Sequence, residues 1–288
     1  MPRDRIDMAP DAAATLQALE LDTVQRVLDC QGDRVAALSR TSEIVQVTRL
    51  VDDEPCSVFI KRYRFGQWKR RLKLTFRGSL VGRSRARFER DMLTEMPRKG
   101  VPAVRLMAYG ERRVFGFVET AFLITEAQQG SVSPDAFVRQ CGPTGPAPAK
   151  RHALVRGLAK QVRHMHNAGV AHGGLVWRNI LIRPANTHET DFAFHFLDPA
   201  PVRVKDPQAW AARGLAELGA MAKLLCTRTD VVRFVTAYLR EHKPDAACRA
   251  RLADIDARAA TLVEQERHRL AVRDAIAAFE DNWVGPPA

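Results

Sequence analysis

Four side chains within the first two hundred residues have the chemical types that phosphoryl transfer requires. In chain order they are Lys61 after the run SVFI, Glu89 in RARFERDML, Asn179 in WRNILI and Asp198 after FHFL. The reaction needs a cation on the phosphates, carboxylate or amide oxygens around Mg²⁺, and a group that orients the attacking hydroxyl. A lysine, an asparagine and an aspartate in this order therefore predict a site that binds phosphate and metal.

Each of these residues has a plainer interpretation when it is taken alone. A lysine at the end of a strand is common, and a surface glutamate such as Glu89 can simply neutralise the arginines beside it. An aspartate before a proline, as at Asp198, is typical of a turn. The catalytic interpretation therefore depends on a longer motif that fixes the spacing of several residues.

That longer motif is MHNAGVAHGGLVWRNILI, residues 165–182. It resembles the catalytic loop of kinases, in which H-x-D-L-x-x-x-N lies between a helix and a pair of strands. His172, Leu175 and Asn179 fall at the required positions, and a chance helix–turn–strand is the alternative. Asp198 follows a second short strand, where kinases carry the metal-binding aspartate of D-F-G.

Several segments together make the resemblance more specific: IKRYRFGQWKRRLK, RARFERDML, GVPAVRLMAYGERR, FLITEA and HGGLVWRNILI. From about residue 35 to about residue 225, the chain resembles the lipopolysaccharide kinase family. That family phosphorylates heptose or Kdo sugars of the lipopolysaccharide inner core with ATP and Mg²⁺. The resemblance implies ATP and Mg²⁺ as cofactors, and an anionic sugar or glycolipid as the acceptor.

The resemblance also implies roles for residues near the start of the chain. Lys61 would hold the ATP phosphates, and Glu89 would position Lys61. The backbone of Thr125, Glu126 and Ala127 would form the hinge that binds the adenine ring.

Further along the chain, the resemblance implies a catalytic set of His172, Asn179 and Asp198. It also implies that Mg²⁺ would be held by Asn179 and Asp198. The catalytic aspartate of the family is missing, because its position is occupied by Gly174. General base catalysis typically contributes about 10²–10⁴-fold. A substrate phosphate, a water or a nearby group such as Asp191 is a candidate replacement.

A second acid is missing from WAARGLAELG, residues 210–219. Kinases of this kind usually carry Arg-Asp-Leu there, and that aspartate braces the catalytic loop from the next helix. Gly214 stands at the position here. The two linked replacements favour a real change in function.

The elements that must position these residues change along the chain from strands to helices. The sequence predicts strands at RVAALS, IVQVTRLV, SVFIKRY and FLITEA. It predicts one or two helices over residues 66–95 and a loop rich in Pro and Gly over 130–149. We therefore predict an α+β, two-lobed protein-kinase-like fold. A β-rich N-lobe, residues 1–126, would contain a helix, a twisted antiparallel sheet and helix C. An α-rich C-lobe, residues 127–288, would contain the catalytic-loop segment 165–200.

Positive charge is concentrated in one part of the chain. The net charge is +12, and residues 61–90 hold twelve Lys or Arg and a single acid, Glu89. This asymmetry predicts an anionic partner. We expect the basic segment 62–90 to contact the anionic core or the inner face of the inner membrane, in a cytoplasmic bacterial protein. No nucleic-acid-binding motif accompanies the charge, so we expect no nucleic-acid partner.

Two functional hypotheses stay open from the sequence. The first is an ATP-dependent phosphotransferase that acts on heptose, Kdo or a related glycolipid. The second is a pseudokinase that binds nucleotide or a partner without turnover, because position 174 is glycine. The short distance from Asp198 to Gly214 favours a small or glycolipid acceptor over a protein.

Overall fold

The computed structural model describes residues 2–39, 42–64, 84–142, 145–184, 191–202, 206–240 and 243–282. Contacts divide the chain into two compact units. The first unit is Met1–Gly130 with His195–Ala200, and the second is Ser131–Phe194 with Pro201–Ala288. The first is rich in strands and the second in helices.

A six-stranded antiparallel sheet forms most of the first unit, in the order β1-β5-β6-β4-β3-β2. Its strands are β1 Arg3–Met8, β2 Arg34–Leu38, β3 Ser42–Val51, β4 Glu54–Arg64, β5 Leu106–Val114 and β6 Phe117–Glu126. The β3–β4 hairpin turns at Asp52 and Asp53, which both have positive φ. Two left-handed residues suit a two-residue hairpin, and aspartate tolerates that conformation.

Among the residues that the structure describes, the helices beside the sheet are α1 Ala13–Ala18, α2 Val24–Asp29 and α3 Arg85–Arg98. Leu16 and Val27 from the short helices share a buried core with Ile60 and Phe122 of the sheet. The edge strand β1 is polar and largely exposed. β1 was not predicted, because RDRIDM has neither the β-branched content nor the apolar alternation of a typical strand.

The second unit contains α4 Pro134–Gln140, α5 Pro148–Asn167, α6 Pro207–Leu225, α7 Arg228–Tyr238 and α8 Ala246–Asn282. A 3₁₀ turn at Trp177–Asn179 leads into β7 Ile180–Pro184, which pairs with β8 Phe192–Phe196. Helix α5 packs on α7, and α6 packs on α8. Within the described ranges, none of the helices has the length and apolar character of a membrane span.

The prediction of a loop over residues 130–149 was partly wrong, since α4 lies inside it. Pro134 occupies the first turn of α4, where its missing N–H costs nothing and its fixed φ suits a helix. Pro148 likewise starts α5. Proline was read as a sign of a loop, although here it marks two helix starts.

Candidate active site

Lys61 and Glu89 form a buried ion pair in the first unit. The Nζ atom of Lys61 donates hydrogen bonds to Oε1 of Glu89 at 3.0 Å and to Oε2 at 2.9 Å. Lys61 lies on β4, and Glu89 lies on α3 in the buried row that Ala86, Leu93 and Met96 complete. Glu89 is only 4% exposed. The interpretation of Glu89 as a surface residue that neutralises arginines is therefore excluded.

Tyr63 is a third member of this cluster. It lies two residues after Lys61, so both side chains point to the same face of β4. Its hydroxyl donates a hydrogen bond to Oε2 of Glu89. Burial raises the pKa of the Tyr63 hydroxyl, so this group stays a donor at neutral pH. Burial also raises the pKa of Glu89, against the opposing charge of Lys61.

Asp198 reaches the same lysine from a distant part of the sequence. Phe196 accepts a backbone hydrogen bond from Val104 and donates one to Pro102, which places the end of β8 in the first unit. The Oδ1 atom of Asp198 then accepts a hydrogen bond from Nζ of Lys61 at 2.5 Å. Asp198 adopts a left-handed backbone with φ of 54°.

Arg85 brings a second cation to Asp198. An Nη2 atom of Arg85 lies 3.7 Å from Oδ1 of Asp198. Arg85 precedes Glu89 by four residues, so the two side chains share one face of α3. Two cations and two carboxylates thus alternate in one cluster. An anionic phosphate could take the place of Asp198 on Lys61, while the Asp198 carboxylate is a suitable ligand for Mg²⁺.

Tyr63 and Arg85 were not predicted as site residues, although the sequence contains a signal for both. Tyr63 follows Lys61 by the strand period of two, and Arg85 precedes Glu89 by one helical turn. Applying these periods to each predicted site residue would have found both.

The predicted hinge lies at the end of β6. Thr125 and Glu126 face Phe59 and Val58 on β4. The N–H of Glu126 donates to the carbonyl of Arg105, and the N–H of Ala127 donates to the carbonyl of Ser57, both at 3.0 Å. These two N–H groups therefore already have acceptors within the first unit.

The second unit contains the residues 172–179, which we call the 172–179 loop. His172 is buried at its start, and Asn179 ends it in the 3₁₀ turn. The Nδ2 atom of Asn179 donates to the carbonyl of Gly174 at 2.9 Å. Trp177 donates from Nε1 to the carbonyl of Leu218 on α6 at 3.0 Å. The loop is thus closed on itself and fastened to α6.

Gly174 has a backbone that other residues rarely adopt. Its φ is 133°, which glycine tolerates because it has no Cβ. An aspartate at this position would be strained in the present loop conformation. The missing carboxylate is therefore matched by a loop shape that suits glycine.

Most of the predicted basic surface cannot be placed, because residues 65–83 of the segment 62–90 lie outside the described residues. Arg62 was assigned to that surface, and this was wrong. It is 3% exposed, donates from Nε to the carbonyl of Val27 and pairs with Glu43. Arg62 therefore fastens α2 to the sheet.

The chain is similar to known proteins of one family. Residues 31–238 match the model of the lipopolysaccharide kinase (Kdo/WaaP) family. The lipopolysaccharide core heptose(I) kinase WaaP of Pseudomonas aeruginosa is 29% identical over 188 residues, which are 63% of this chain and 69% of that protein. The Escherichia coli protein of the same name is 25% identical over 188 residues, which are 63% of this chain and 70% of that protein.

A solved structure of WaaP in complex with acyl carrier protein has a similar fold. The TM-score is 0.64 at 24% identity, and the match covers 90% of this chain and 99% of that chain. The predicted α+β, protein-kinase-like fold is confirmed.

Proposed function

Because this chain belongs to the lipopolysaccharide kinase (Kdo/WaaP) family, we propose that it is an ATP-dependent phosphotransferase acting on a sugar of the lipopolysaccharide core. The observation that carries the proposal is the buried Lys61–Glu89 pair, with Asp198 on the same lysine. A bacterial cytoplasmic location belongs to the same proposal, with contact to the inner membrane through the segment 62–90 apart from the buried Arg62.

Heptose is the acceptor that we propose ahead of Kdo. The two relatives described above are both heptose(I) kinases. Their identity to this chain is 29% and 25%, which supports a shared reaction class and a related sugar.

The residues of the cluster suit the phosphates and metal of Mg²⁺·ATP. Lys61 would bind the phosphates, and Glu89 would fix the position of Lys61. Asp198 and Asn179 would supply the hard oxygen ligands that Mg²⁺ prefers. Since Nδ2 of Asn179 donates to Gly174, Oδ1 is the Asn179 atom that would face the metal. Bound Mg²⁺ would neutralise charge that develops on the transferred phosphoryl group.

Gly174 lowers the expected rate without excluding the reaction. Phosphoryl transfer has a loose transition state, so positioning and electrostatic stabilisation dominate its catalysis. Without a base at position 174, we expect turnover about 10²–10⁴-fold slower than that of a family member with aspartate there. The alternative is a pseudokinase that binds nucleotide without turnover, and the φ of Gly174 is the observation that favours it.

The test is transfer of radiolabelled γ-phosphate from ATP to two acceptors, one a dephosphorylated heptose core and one ending in Kdo. We expect label in the heptose acceptor, no label with Asp198→Asn, and unchanged labelling with Asp254→Asn, an exposed aspartate of α8. ATP binding without transfer to either acceptor would favour the pseudokinase. Label in the Kdo acceptor alone would contradict the choice of heptose.

We also propose acyl carrier protein as a partner. A related WaaP has been solved in that complex. The second unit of this chain contains a cavity of about 610 Å³ with an apolar lining that includes Leu154, Leu158, Trp177, Leu218 and Phe234. A cavity of this size and character suits an acyl chain. Equal binding of acylated and unacylated carrier protein would contradict this use of the cavity.

A further inference from the structure

Helix α6 touches the 172–179 loop at the position where a bracing aspartate is missing. A Cβ atom on Gly214 would lie 3.4 Å from Cδ2 and 3.7 Å from Cβ of Leu175. Those are ordinary van der Waals distances, so the site has room for a Cβ atom. Steric crowding at a Cβ therefore does not explain why residue 214 is glycine.

A carboxylate reaches the loop from the next turn of the same helix. Glu217 follows Gly214 by three residues, so it lies on the same face of α6. Its Oε2 atom accepts a hydrogen bond from the backbone N–H of Leu175 at 3.1 Å. Its Oε1 atom accepts one from Nε of Arg213 at 2.9 Å. The Glu217 side chain is 15% exposed, so water screens these bonds only weakly.

We propose that Glu217 is a positioning residue that has taken over the bracing of the 172–179 loop from the vacated position 214. A hydrogen bond from a backbone N–H to an ionised carboxylate is stronger than one to a neutral acceptor. Leu175 is 1% exposed, so its N–H would otherwise be buried without a partner at a considerable cost. The glutamate thus replaces the lost acid one turn along the helix.

The hydrogen bond from Leu175 to Glu217 affects Asn179, the candidate metal ligand, through the peptide group that joins Gly174 and Leu175. Leu175 follows Gly174, whose carbonyl accepts the hydrogen bond from Nδ2 of Asn179. Fixing the N–H of Leu175 therefore fixes the peptide group that orients Asn179. This inference rests on the proposed function only in identifying the 172–179 loop as catalytic. It also means that the paired glycines at 174 and 214 do not leave the loop unsupported.

The test is amide hydrogen exchange of Leu175 in the full-length protein, resolved by NMR. In Glu217→Ala we expect this amide to exchange at least about tenfold faster, since hydrogen bonds to charged groups are worth that factor or more. The amide of Cys226, which bonds to Ala222 at the end of α6, serves as the reference and should be unchanged. Arg213→Ala is the matched control, because it removes the ion pair and keeps the carboxylate.

A rescue variant separates a brace from general helix stability. Adding Gly214→Asp to Glu217→Ala should slow the exchange of Leu175 again, because an acid returns to the same face of α6. Unchanged exchange in Glu217→Ala, equal acceleration at Cys226, or no rescue would each overturn the proposal. Should Glu217→Ala not fold, Glu217→Gln takes its place, and it must speed the exchange of the Leu175 amide without changing that of Cys226. Exchange of Leu175 equal to that in the wild type would also overturn the proposal. The readout needs no phosphate transfer, so it stands apart from the test of the proposed function.

Discussion

The carboxylate of Glu89 is held by two side chains of a single strand. Lys61 donates to both of its oxygens, and Tyr63 donates to Oε2. Because all three groups are buried, each bond is little weakened by water. The tyrosine therefore controls where Glu89, and through it Lys61, can lie.

Tyr63→Phe removes one donor and keeps the shape of the ring. We expect it to lower the free energy of unfolding by about 1–3 kcal/mol, because a buried acceptor loses a partner. We also expect weaker Mg²⁺·ATP binding, since Lys61 is less firmly positioned. Urea denaturation and titration calorimetry measure the two effects.

Tyr109→Phe is the matched control for this substitution. Tyr109 also donates to a buried glutamate, Glu111, at 2.9 Å. Tyr109→Phe should lower the free energy of unfolding by a similar amount and leave the affinity for ATP unchanged. An equal loss of ATP affinity in both variants would contradict the role given to Tyr63.

At the scale of elements, three helices of the second unit meet at one histidine. His166 on α5 packs edge-on against Trp210 of α6 and Tyr238 of α7, with centroid distances of 5.3 and 5.8 Å. Its Nδ1 atom shares a hydrogen bond of 2.8 Å with the hydroxyl of Tyr238. Burial, with a smaller contribution from His172, lowers the pKa of His166 to about 4.

This pKa predicts a loss of stability in acid. An unfolded histidine has a pKa near 6.5, so between about pH 6.5 and pH 4 the unfolded chain binds a proton that folded His166 does not. Stability therefore falls as pH decreases through that window, by up to about 1.4 kcal/mol per pH unit from this residue. Urea denaturation of His166→Gln between pH 7 and pH 4.5 should show a shallower fall than the wild type.

His268→Gln is the comparison for that experiment, since His268 is exposed on α8. It should keep the wild-type dependence on pH. An identical fall in His166→Gln and the wild type would show that His166 does not stay neutral in the folded protein.

Elements that bury one side or a continuous stretch carry a regular pattern of apolar residues, and these elements could be predicted from the sequence. Strands β3, β4 and β6 alternate or run apolar because they are buried, and the sequence identified them. The polar edge strand β1 has no such pattern, so it was missed. Helical spacing places Glu89 in the same row as Ala86, Leu93 and Met96. Its burial was nevertheless not predicted, because arginines surround it in the sequence.

At the scale of the whole molecule, the order of motifs along the chain was predictable and most of the contacts were not. Lys61 and Asp198 are 137 residues apart, and Leu175 and Glu217 are 42 apart. The family resemblance assigned Lys61 and Asp198 to one nucleotide site, although it did not predict the contact between their side chains. It did not anticipate the second, because Glu217 stands one turn from the position that the family pattern marks. Local patterns do not determine contacts that the fold itself brings about.

A Mg²⁺·ATP site built around Lys61 and Asp198 is central to the proposed function. Thermal unfolding with and without Mg²⁺·ATP tests it most directly, in the wild type, Lys61→Met, Asp198→Asn and a control. The control is Lys99→Met, which changes an exposed lysine directly after α3. At a hundred times its Kd, ATP should stabilise the wild type and the control by about 2.7 kcal/mol. The two site variants should lose that increment, whatever their stability without ligand. No stabilisation of the wild type by ATP, or equal stabilisation of all four proteins, would contradict the account.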